Sequence, residues 1–138
     1  MERFNISHTD LHGDFLLIEL LVNELEVGHI EVRKCFMDLD YYELLNDDCY
    51  LYVSEVYVDK RWRRKGIANK MMLQLDRICK KKYPGFNNIV LMPFPMEPGM
   101  NITTLKEFYK KYGFKDAKIE VHFTNHSQYK NIMFKQLN

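Results

Sequence analysis

Cysteine is scarce in this sequence, and its spacing argues against two common roles. The chain holds three cysteines, Cys35, Cys49 and Cys79, and none of them forms a C-x-x-C pair. An odd number without that spacing does not match the patterns of disulfide frameworks or structural zinc sites. We therefore expect reduced thiols, which are typical of a cytosolic compartment.

Long apolar runs are also missing. No stretch approaches the roughly 18 uncharged apolar residues that a membrane-spanning helix needs. The N-terminal residues MERFNISHTD contain no apolar signal core. The length of 138 residues is typical of one domain. These features predict a single soluble domain over 1–138, with no membrane partner and a cytoplasmic location.

Each part of the chain is poor in charge of one sign. Residues 1–59 contain three basic and 14 acidic side chains, a net charge of −11, and residues 60–138 contain 17 basic and five acidic ones, a net charge of +12. Such a division suggests an anionic cofactor beside the basic part and a cationic acceptor near the acidic part. The alternative is that folding mixes the two parts over one surface.

Periodicity predicts the order of strands and helices. Residues 14–22 and the alternating residues 26–35 flank Asn23-Glu24, which favours a hairpin. A helix over 67–82 carries its apolar residues on one face and ends before Pro84-Gly85. The other expected elements are strands at 50–58, 88–92, 118–123 and 131–137, and a helix opened by a Thr104/Glu107 capping box and ended by Gly113. This order predicts an α/β or α+β fold around a mixed sheet.

The segment from Val58 to Ala68 joins a strand end, a basic loop and a helix start. Helix N-termini bind anions because their first N–H groups are unpaired and carry partial positive charge. Gly66 permits a phosphate to approach closely or a positive φ angle, and Ala68 leaves the next turn uncrowded. Basic side chains surround this turn at Arg61, Arg63, Arg64 and Lys65. The segment predicts a phosphate site, although a solvated basic loop has the same composition.

Two motifs resemble those of the GNAT superfamily of acetyltransferases. Arg63-x-x-Gly66-x-Ala68, after a strand that ends in Val58, is similar to the family's pyrophosphate-binding loop. The segment from Phe108 to Phe114, which contains Tyr109 and Gly113, resembles the family's later helix motif. One helix and one strand separate the two motifs, as in the family. The resemblance covers residues 14–137.

The resemblance implies the family's fold and co-substrate. A mixed, mostly antiparallel sheet flanked by helices would bind acetyl-coenzyme A where two central strands splay apart, and the family's chemistry needs no metal ion. Backbone amides near Val56 would polarise the thioester carbonyl. The full set of implied cofactor-binding residues is Val56, Tyr57, Val58, Arg63, Arg64, Lys65, Gly66, Ile67, Ala68 and Asn69.

The resemblance also implies catalytic residues. The Tyr109 hydroxyl would protonate the leaving thiolate, although helix periodicity alone favours a core aromatic, the role left to Tyr112. Glu55 lies on the strand before the loop, where family members often place the group that deprotonates the amine. Strand alternation points Glu55 away from Tyr52 and Ser54, the polar alternatives, unless a bulge re-aims it.

Three departures from the family pattern affect the acceptor side. About ten residues precede the first expected strand, so the helices that usually wall the acceptor site are missing. Leu105 stands four residues before Tyr109, where the family's later helix usually has a small residue. PFPMEPGM at 93–100 replaces the short connection that usually follows the strand ending near Met92. The site is then open to a protein lysine or N-terminus, completed by a second copy of the chain, or adapted to a small polyamine-like amine. Compact GNAT domains of this kind occur in bacteriophages, which would place the protein in a host cytoplasm.

A cationic acceptor is expected on the acidic side of the chain. In the family, the segment before the central strand lies near the acceptor, and carboxylates there attract an ammonium group. In this sequence the segment carries Asp38, Asp40, Glu43, Asp47 and Asp48.

Two other functions fit parts of the sequence. A GNAT fold can bind acyl-coenzyme A without catalysis or serve in protein interactions, but loss of Tyr109 would be expected. Residues 61–65, with Trp62, and the run at 80–82 resemble a nucleic-acid-binding patch, but the acidic part would repel a polyanion. His122 and His126 lie on a strand and its turn, which does not make a helical metal pair. The predicted function is therefore transfer of an acetyl group from acetyl-coenzyme A to an amine by direct attack.

Overall fold

The computed structural model describes residues 3–11, 13, 15–36, 45, 47–95, 99–117 and 131–137. The chain forms two compact units, Met1–Lys34 with Val53–Phe86 and Cys35–Tyr52 with Asn87–Asn138. Strands β3 (Leu25–Phe36) and β4 (Cys49–Val58) pass from one unit into the other. The single domain expected over 1–138 stays a prediction.

The first unit contains a sheet in the order β1-β2-β3-β4, where β1 is Phe4–Leu11 and β2 is Phe15–Val22. The pairs β1/β2 and β2/β3 are antiparallel. Asn23 and Glu24 have φ angles of 50° and 71°, and Val22 pairs with Leu25 across them. Positive φ at both positions of a two-residue loop is the turn that matches strand twist, so the predicted hairpin is confirmed.

Strand β1 was not predicted, since the first strand was expected to begin at residue 14. Polar residues interrupt its alternation, and none of its eight side chains is fully buried. It lies at the edge of the sheet, next to β2. An edge strand of this kind carries little apolar signal in the sequence.

Helix α1 (Ile67–Lys82) packs on one face of this sheet. Its buried residues include Ile67, Met71, Leu75 and Ile78, which share one side of the helix. On β2 every second side chain is buried, from Leu16 to Val22. The helix predicted over 67–82 is confirmed at both ends.

Gly28 in β3 marks the sheet face that α1 covers. A Cβ atom at this position would lie 3.0 Å from Ile67 Cγ2 and 3.1 Å from Met71 Cε. Because neighbouring residues in a strand point to opposite faces, His29 belongs to the other face. Glu19 of β2 pairs with His29 and shares that face. We call the face opposite α1 the outer face of the first unit.

The second unit contains strands in the order β4-β5-β7-β6, with β5 at Asn88–Leu91, β6 at Lys115–Asp116 and β7 at Met133–Gln136. The pairs β5/β7 and β6/β7 are antiparallel. One apolar cluster of this unit consists of Leu45, Tyr50, Val90 and Ile132. Strands predicted at 88–92 and 131–137 are confirmed, and the one predicted at 118–123 lies outside the described residues.

Helix α2 (Ile102–Lys110) begins earlier than predicted. Asn101 is its N-cap, and the Asn101 side-chain oxygen accepts a hydrogen bond from the Thr104 backbone N–H at 2.8 Å. The Thr104/Glu107 capping box is therefore wrong, because Thr104 lies inside the first turn. The predicted end holds: Gly113 has a φ of 94°, and the Phe114 N–H donates to the Tyr109 carbonyl at 3.4 Å, as in a Schellman cap.

These elements confirm an α+β fold with mostly antiparallel strands. None of the helices in the described ranges is long and apolar enough to cross a membrane.

Candidate active site

The loop after β4 is held by its own hydrogen bonds. The Asp59 carboxylate accepts from the Arg61 backbone N–H at 3.0 Å and caps a single 3₁₀ turn at Lys60–Trp62. The Asp59 N–H donates to the Val27 carbonyl of β3 at 2.7 Å. Arg63 Nε donates to the Val58 carbonyl at 3.0 Å. The Arg63 side chain, expected to contact phosphate, thus also ties the loop to the end of β4.

The start of α1 has the features of a phosphate site. Arg64 and Gly66 both have positive φ angles, 63° and 78°. Gly66 is the N-cap, no side chain caps the helix, and a Cβ atom on Gly66 would meet nothing within 4 Å. The first N–H groups of an α-helix, here those of Ile67 and Ala68, have no acceptor within the helix. Open space, free donors and the helix dipole suit a phosphate of the coenzyme A pyrophosphate.

The other residues assigned to the cofactor differ in what they can offer. Arg64 and Lys65 are exposed, and the Lys65 ammonium lies 5.0 Å from the centroid of the Trp62 ring. Ile67 is 1% exposed, so its side chain serves the core and only its backbone can face a ligand. Ala68 is half-buried and Asn69 is exposed.

The final residues of β4 carry the candidate base. Val56, Tyr57 and Val58 are half-buried, whereas Ser54 and Glu55 are both exposed. Glu55 contacts His29, so its side chain lies on the outer face. The Ser54 hydroxyl donates to the Glu31 carbonyl at 3.3 Å.

A hydrogen-bonded set around His29 was not predicted from the sequence. His29 Nδ1 lies 2.9 Å from Glu26 Oε1, and His29 Nε2 is hydrogen-bonded to Glu55 Oε1. The imidazole also lies 5.2 Å from the Tyr57 ring, at an interplanar angle of 31°. The available signal was the alternation in residues 26–35, which leaves Glu26 and His29 among the polar positions of β3.

Tyr109, the candidate proton donor, lies on α2 in the second unit and is 7% exposed. Its ring makes edge contacts with Phe108 at 5.2 Å and Phe114 at 6.0 Å between centroids. Burial raises the pKa of Tyr109 to about 12. Tyr112, which was placed in the core, is half-buried and contacts Phe108 at 5.3 Å.

The acidic segment before β4 is described only in part. Asp38, Asp40 and Glu43 lie outside the described residues. The Asp47 carboxylate accepts from the Asp48 backbone N–H at 2.8 Å and from Asn87 Nδ2 at 3.4 Å. Partial burial opposes its charge, but these hydrogen bonds outweigh it and lower the pKa of Asp47. Asp47 therefore has a structural role besides any attraction for an acceptor.

Comparison with known families identifies the class of protein. A family model described as "Acetyltransferase (GNAT) domain" matches residues 17–116. This range covers more than half of the chain, and the protein belongs to the GNAT acetyltransferase family. No curated protein gives a significant match.

Solved structures share the fold at low sequence identity. The PaiA N-acetyltransferase of Thermoplasma acidophilum, in complex with coenzyme A, is 23% identical with a TM-score of 0.54, over 89% of this chain and 61% of that protein. The chain thus spans about three fifths of that relative. The ribosomal-protein-S18-alanine N-acetyltransferase of Escherichia coli is 15% identical with a TM-score of 0.60, over 94% and 73%. Arabidopsis thaliana NAA60, in complex with a bisubstrate analogue, is 12% identical with a TM-score of 0.64, over 92% and 78%.

Proposed function

We propose that this protein transfers an acetyl group from acetyl-coenzyme A to an amine, with the start of α1 as its phosphate site. The observation that carries the proposal is the conformation of Gly66. Its backbone is left-handed at the N-terminus of a 16-residue helix, and the space beside it is open. Membership of the GNAT family supports the reaction, and the Thermoplasma relative is in complex with coenzyme A.

The loop and the helix start would hold the co-substrate. The backbone N–H groups of Ile67 and Ala68 would donate to phosphate oxygens, and the exposed side chains of Arg64 and Lys65 would add full positive charge. Arg63 would keep the loop against the end of β4 through its bond to Val58. Nearby, the backbone at Val56 would donate to the thioester carbonyl oxygen as negative charge develops there.

Two side chains would handle protons. An amine arrives largely as ammonium and must lose a proton before its nitrogen can attack, and Glu55 is the proposed acceptor of that proton. Tyr109 is the proposed donor to the leaving thiolate, and its raised pKa keeps it protonated at neutral pH. Bound acetyl-coenzyme A supplies the activated acetyl group.

The acceptor we favour is an amine on a protein or peptide. The Escherichia coli neighbour is named for an alanine of a ribosomal protein. A Naa50 neighbour from Arabidopsis thaliana, 20% identical with a TM-score of 0.56, is in complex with a bisubstrate analogue that contains the peptide MVNAL. A peptide N-terminus, a lysine side chain and a polyamine should be compared directly by the rate of coenzyme A thiol release.

Two glycine substitutions test the phosphate site. Gly66→Ala and Gly13→Ala place the same methyl group at φ angles of 78° and 73°, and neither Cβ would meet an atom within 4 Å. Each should cost about 1–2 kcal/mol of folding free energy because L-residues resist this conformation. Only Gly66→Ala should also weaken coenzyme A binding, measured by calorimetry and by the ligand-induced rise in melting temperature. Equal coenzyme A affinity in the two variants would contradict the proposed site.

A further inference from the structure

We propose that His29 is a positioning residue that holds Glu55 in place to deprotonate the acceptor amine. The inference rests on the proposed function, because it assigns Glu55 the role of base. His29 acts through Glu55 and would not itself touch the substrate. Its second partner, Glu26, would fix the imidazole from the other side.

The geometry gives His29 restraint on three sides. One ring nitrogen is 2.9 Å from Glu26 Oε1, the other is hydrogen-bonded to Glu55 Oε1, and the Tyr57 ring lies beside the imidazole. Each ring nitrogen therefore faces a carboxylate oxygen, so the imidazole cannot turn without losing a hydrogen bond.

The backbone beneath the ring is also fixed. The Asp59 N–H donates to the Val27 carbonyl at 2.7 Å, which joins the end of β4 to β3 two residues from His29. Gly28 lets β3 pack closely against its neighbours, because the Cβ of any larger residue at this position would lie 2.9 Å from the Tyr57 carbonyl oxygen. The imidazole thus extends from a rigid part of the sheet toward the exposed Glu55.

Glu55 needs such support. Its side chain is 45% exposed, and an exposed glutamate is free to adopt many rotamers, so that fixing it in one position costs entropy. The bond to His29 uses Oε1 and leaves Oε2 for the substrate. An ammonium proton would pass to Oε2, and the freed nitrogen lone pair would form the N–C bond as the C–S bond breaks. The sulfur would keep that electron pair and take up the second proton that the nitrogen loses as it becomes an amide.

A double-mutant cycle separates positioning from a general structural role. The variants are His29→Gln, which removes the imidazole, Glu55→Gln, and the two combined. His29→Gln should lower kcat by up to about 10²-fold, as misplacement of a reacting group can, with the KM for acetyl-coenzyme A unchanged. Glu55→Gln should lower kcat by at least about 10²-fold. The double variant should be no slower than Glu55→Gln alone, because His29 has no role once its partner is lost.

Glu19→Gln is the matched control, since Glu19 pairs directly with His29 from β2 on the same outer face. It removes the same charge without removing either contact of the imidazole, and it should keep parental kcat. Multiplicative losses in the double variant, or an equal loss in Glu19→Gln, would overturn the inference. Full turnover in Glu55→Gln would overturn it too, while leaving acetyl transfer itself intact.

A spectroscopic measurement tests the contact without turnover. The ¹⁵N chemical shifts of both His29 ring nitrogens should change in Glu55→Gln and in Glu26→Gln, and should stay at parental values in Glu19→Gln. If the parent transfers no acetyl group to any amine, the proposed function fails and this measurement still decides the contact. Unchanged shifts in Glu55→Gln would refute the His29–Glu55 bond.

Discussion

Tyr109→Phe removes one hydroxyl and keeps the ring that packs on Phe108 and Phe114. The magnitude of its effect follows from burial. The pKa of Tyr109 is about 12, and an ordinary tyrosine has a pKa of about 10. This difference of about two costs the ionised form about 3 kcal/mol. Tyr109 therefore keeps its proton at any pH suitable for an assay, as a donor must.

The same value limits what Tyr109 can do. An ordinary thiol has a pKa of about 8.5, so full proton transfer from a phenol of pKa about 12 to its thiolate is uphill by about 5 kcal/mol. Hydrogen-bond donation to the developing thiolate has no such cost and is worth about 1.5–3 kcal/mol. Tyr109→Phe should thus lower kcat by about 10-fold to 10²-fold, while the KM for acetyl-coenzyme A changes little.

Tyr112→Phe is the matched control, because Tyr112 lies in the turn that follows α2 and also contacts Phe108. It should keep parental kcat. The assay follows thiol release at saturating acetyl-coenzyme A, with a poor amine so that chemistry is rate-limiting. Parental kcat in Tyr109→Phe under these conditions would refute the assignment, and an equal loss in Tyr112→Phe would show that only packing was disturbed.

Alkaline unfolding gives an independent readout. The folded-state pKa of Tyr109 lies above its unfolded value, so its contribution to stability is fully present below about pH 10. That contribution is lost as the pH rises through about 12. Tyr109→Phe should therefore lose less stability than the parent between pH 9 and pH 11, measured by urea unfolding. Parallel losses in both proteins would show that the hydroxyl is not buried.

Two further predictions concern folding. Gly28→Ala should destabilise the protein by about 1–3 kcal/mol through overpacking, because its Cβ would lie 2.9 Å from the Tyr57 carbonyl oxygen. Gly85→Ala is the control and should be tolerated, because its Cβ would meet nothing within 4 Å. Equal midpoints of urea unfolding in the two variants would contradict this prediction. Asp47→Asn should lower the melting temperature at pH 7, and the difference from the parent should shrink at pH 3. The pKa of Asp47 is lower in the folded protein than its ordinary value. The ionised carboxylate therefore stabilises the fold above that ordinary pKa, and this contribution is lost as the pH falls through the folded-state pKa. A difference in melting temperature that stays constant from pH 7 to pH 3 would contradict the prediction.

The parts of the fold predicted from the sequence carry strong local signals. The Asn23-Glu24 hairpin follows from two apolar runs with a two-residue gap, and its φ angles of 50° and 71° fit that gap. Helix α1 follows from one apolar stripe with Pro84-Gly85 after it. The loop at 63–68 follows from composition at a helix start, and the left-handed Gly66 agrees with the expected positive φ. Binding of coenzyme A by these residues stays a prediction.

The parts that were missed depend on contacts between distant residues. Strand β1 exists because β2 offers it a pairing edge, which its polar sequence does not reveal. The N-cap of α2 is the exception, because asparagine is a stronger N-cap than threonine and the Thr104/Glu107 spacing was given more weight than that preference. The set around His29 needs Glu55, 26 residues away, and no spacing rule links a strand histidine to a carboxylate on the next strand.

The charge division along the chain becomes a division between faces within the first unit. Around His29, the outer face carries the carboxylates of Glu26, Glu31 and Glu55, of which Glu31 is paired with Arg33 at 2.6 Å. The loop and α1 carry basic residues at 61, 63–65, 70, 77 and 80–82. The first unit therefore offers one face rich in carboxylates, which attracts cations, and one loop rich in basic residues, which attracts phosphates. Exposed charges act over about 10 Å at 0.1 M salt, which is enough to concentrate ammonium near the outer face.

Attraction alone cannot make an ammonium group react, because its lone pair is occupied by a proton. A carboxylate within the attracting face that also removes that proton resolves the conflict, and Glu55, held by His29, is the one that lies on the strand leading into the phosphate loop.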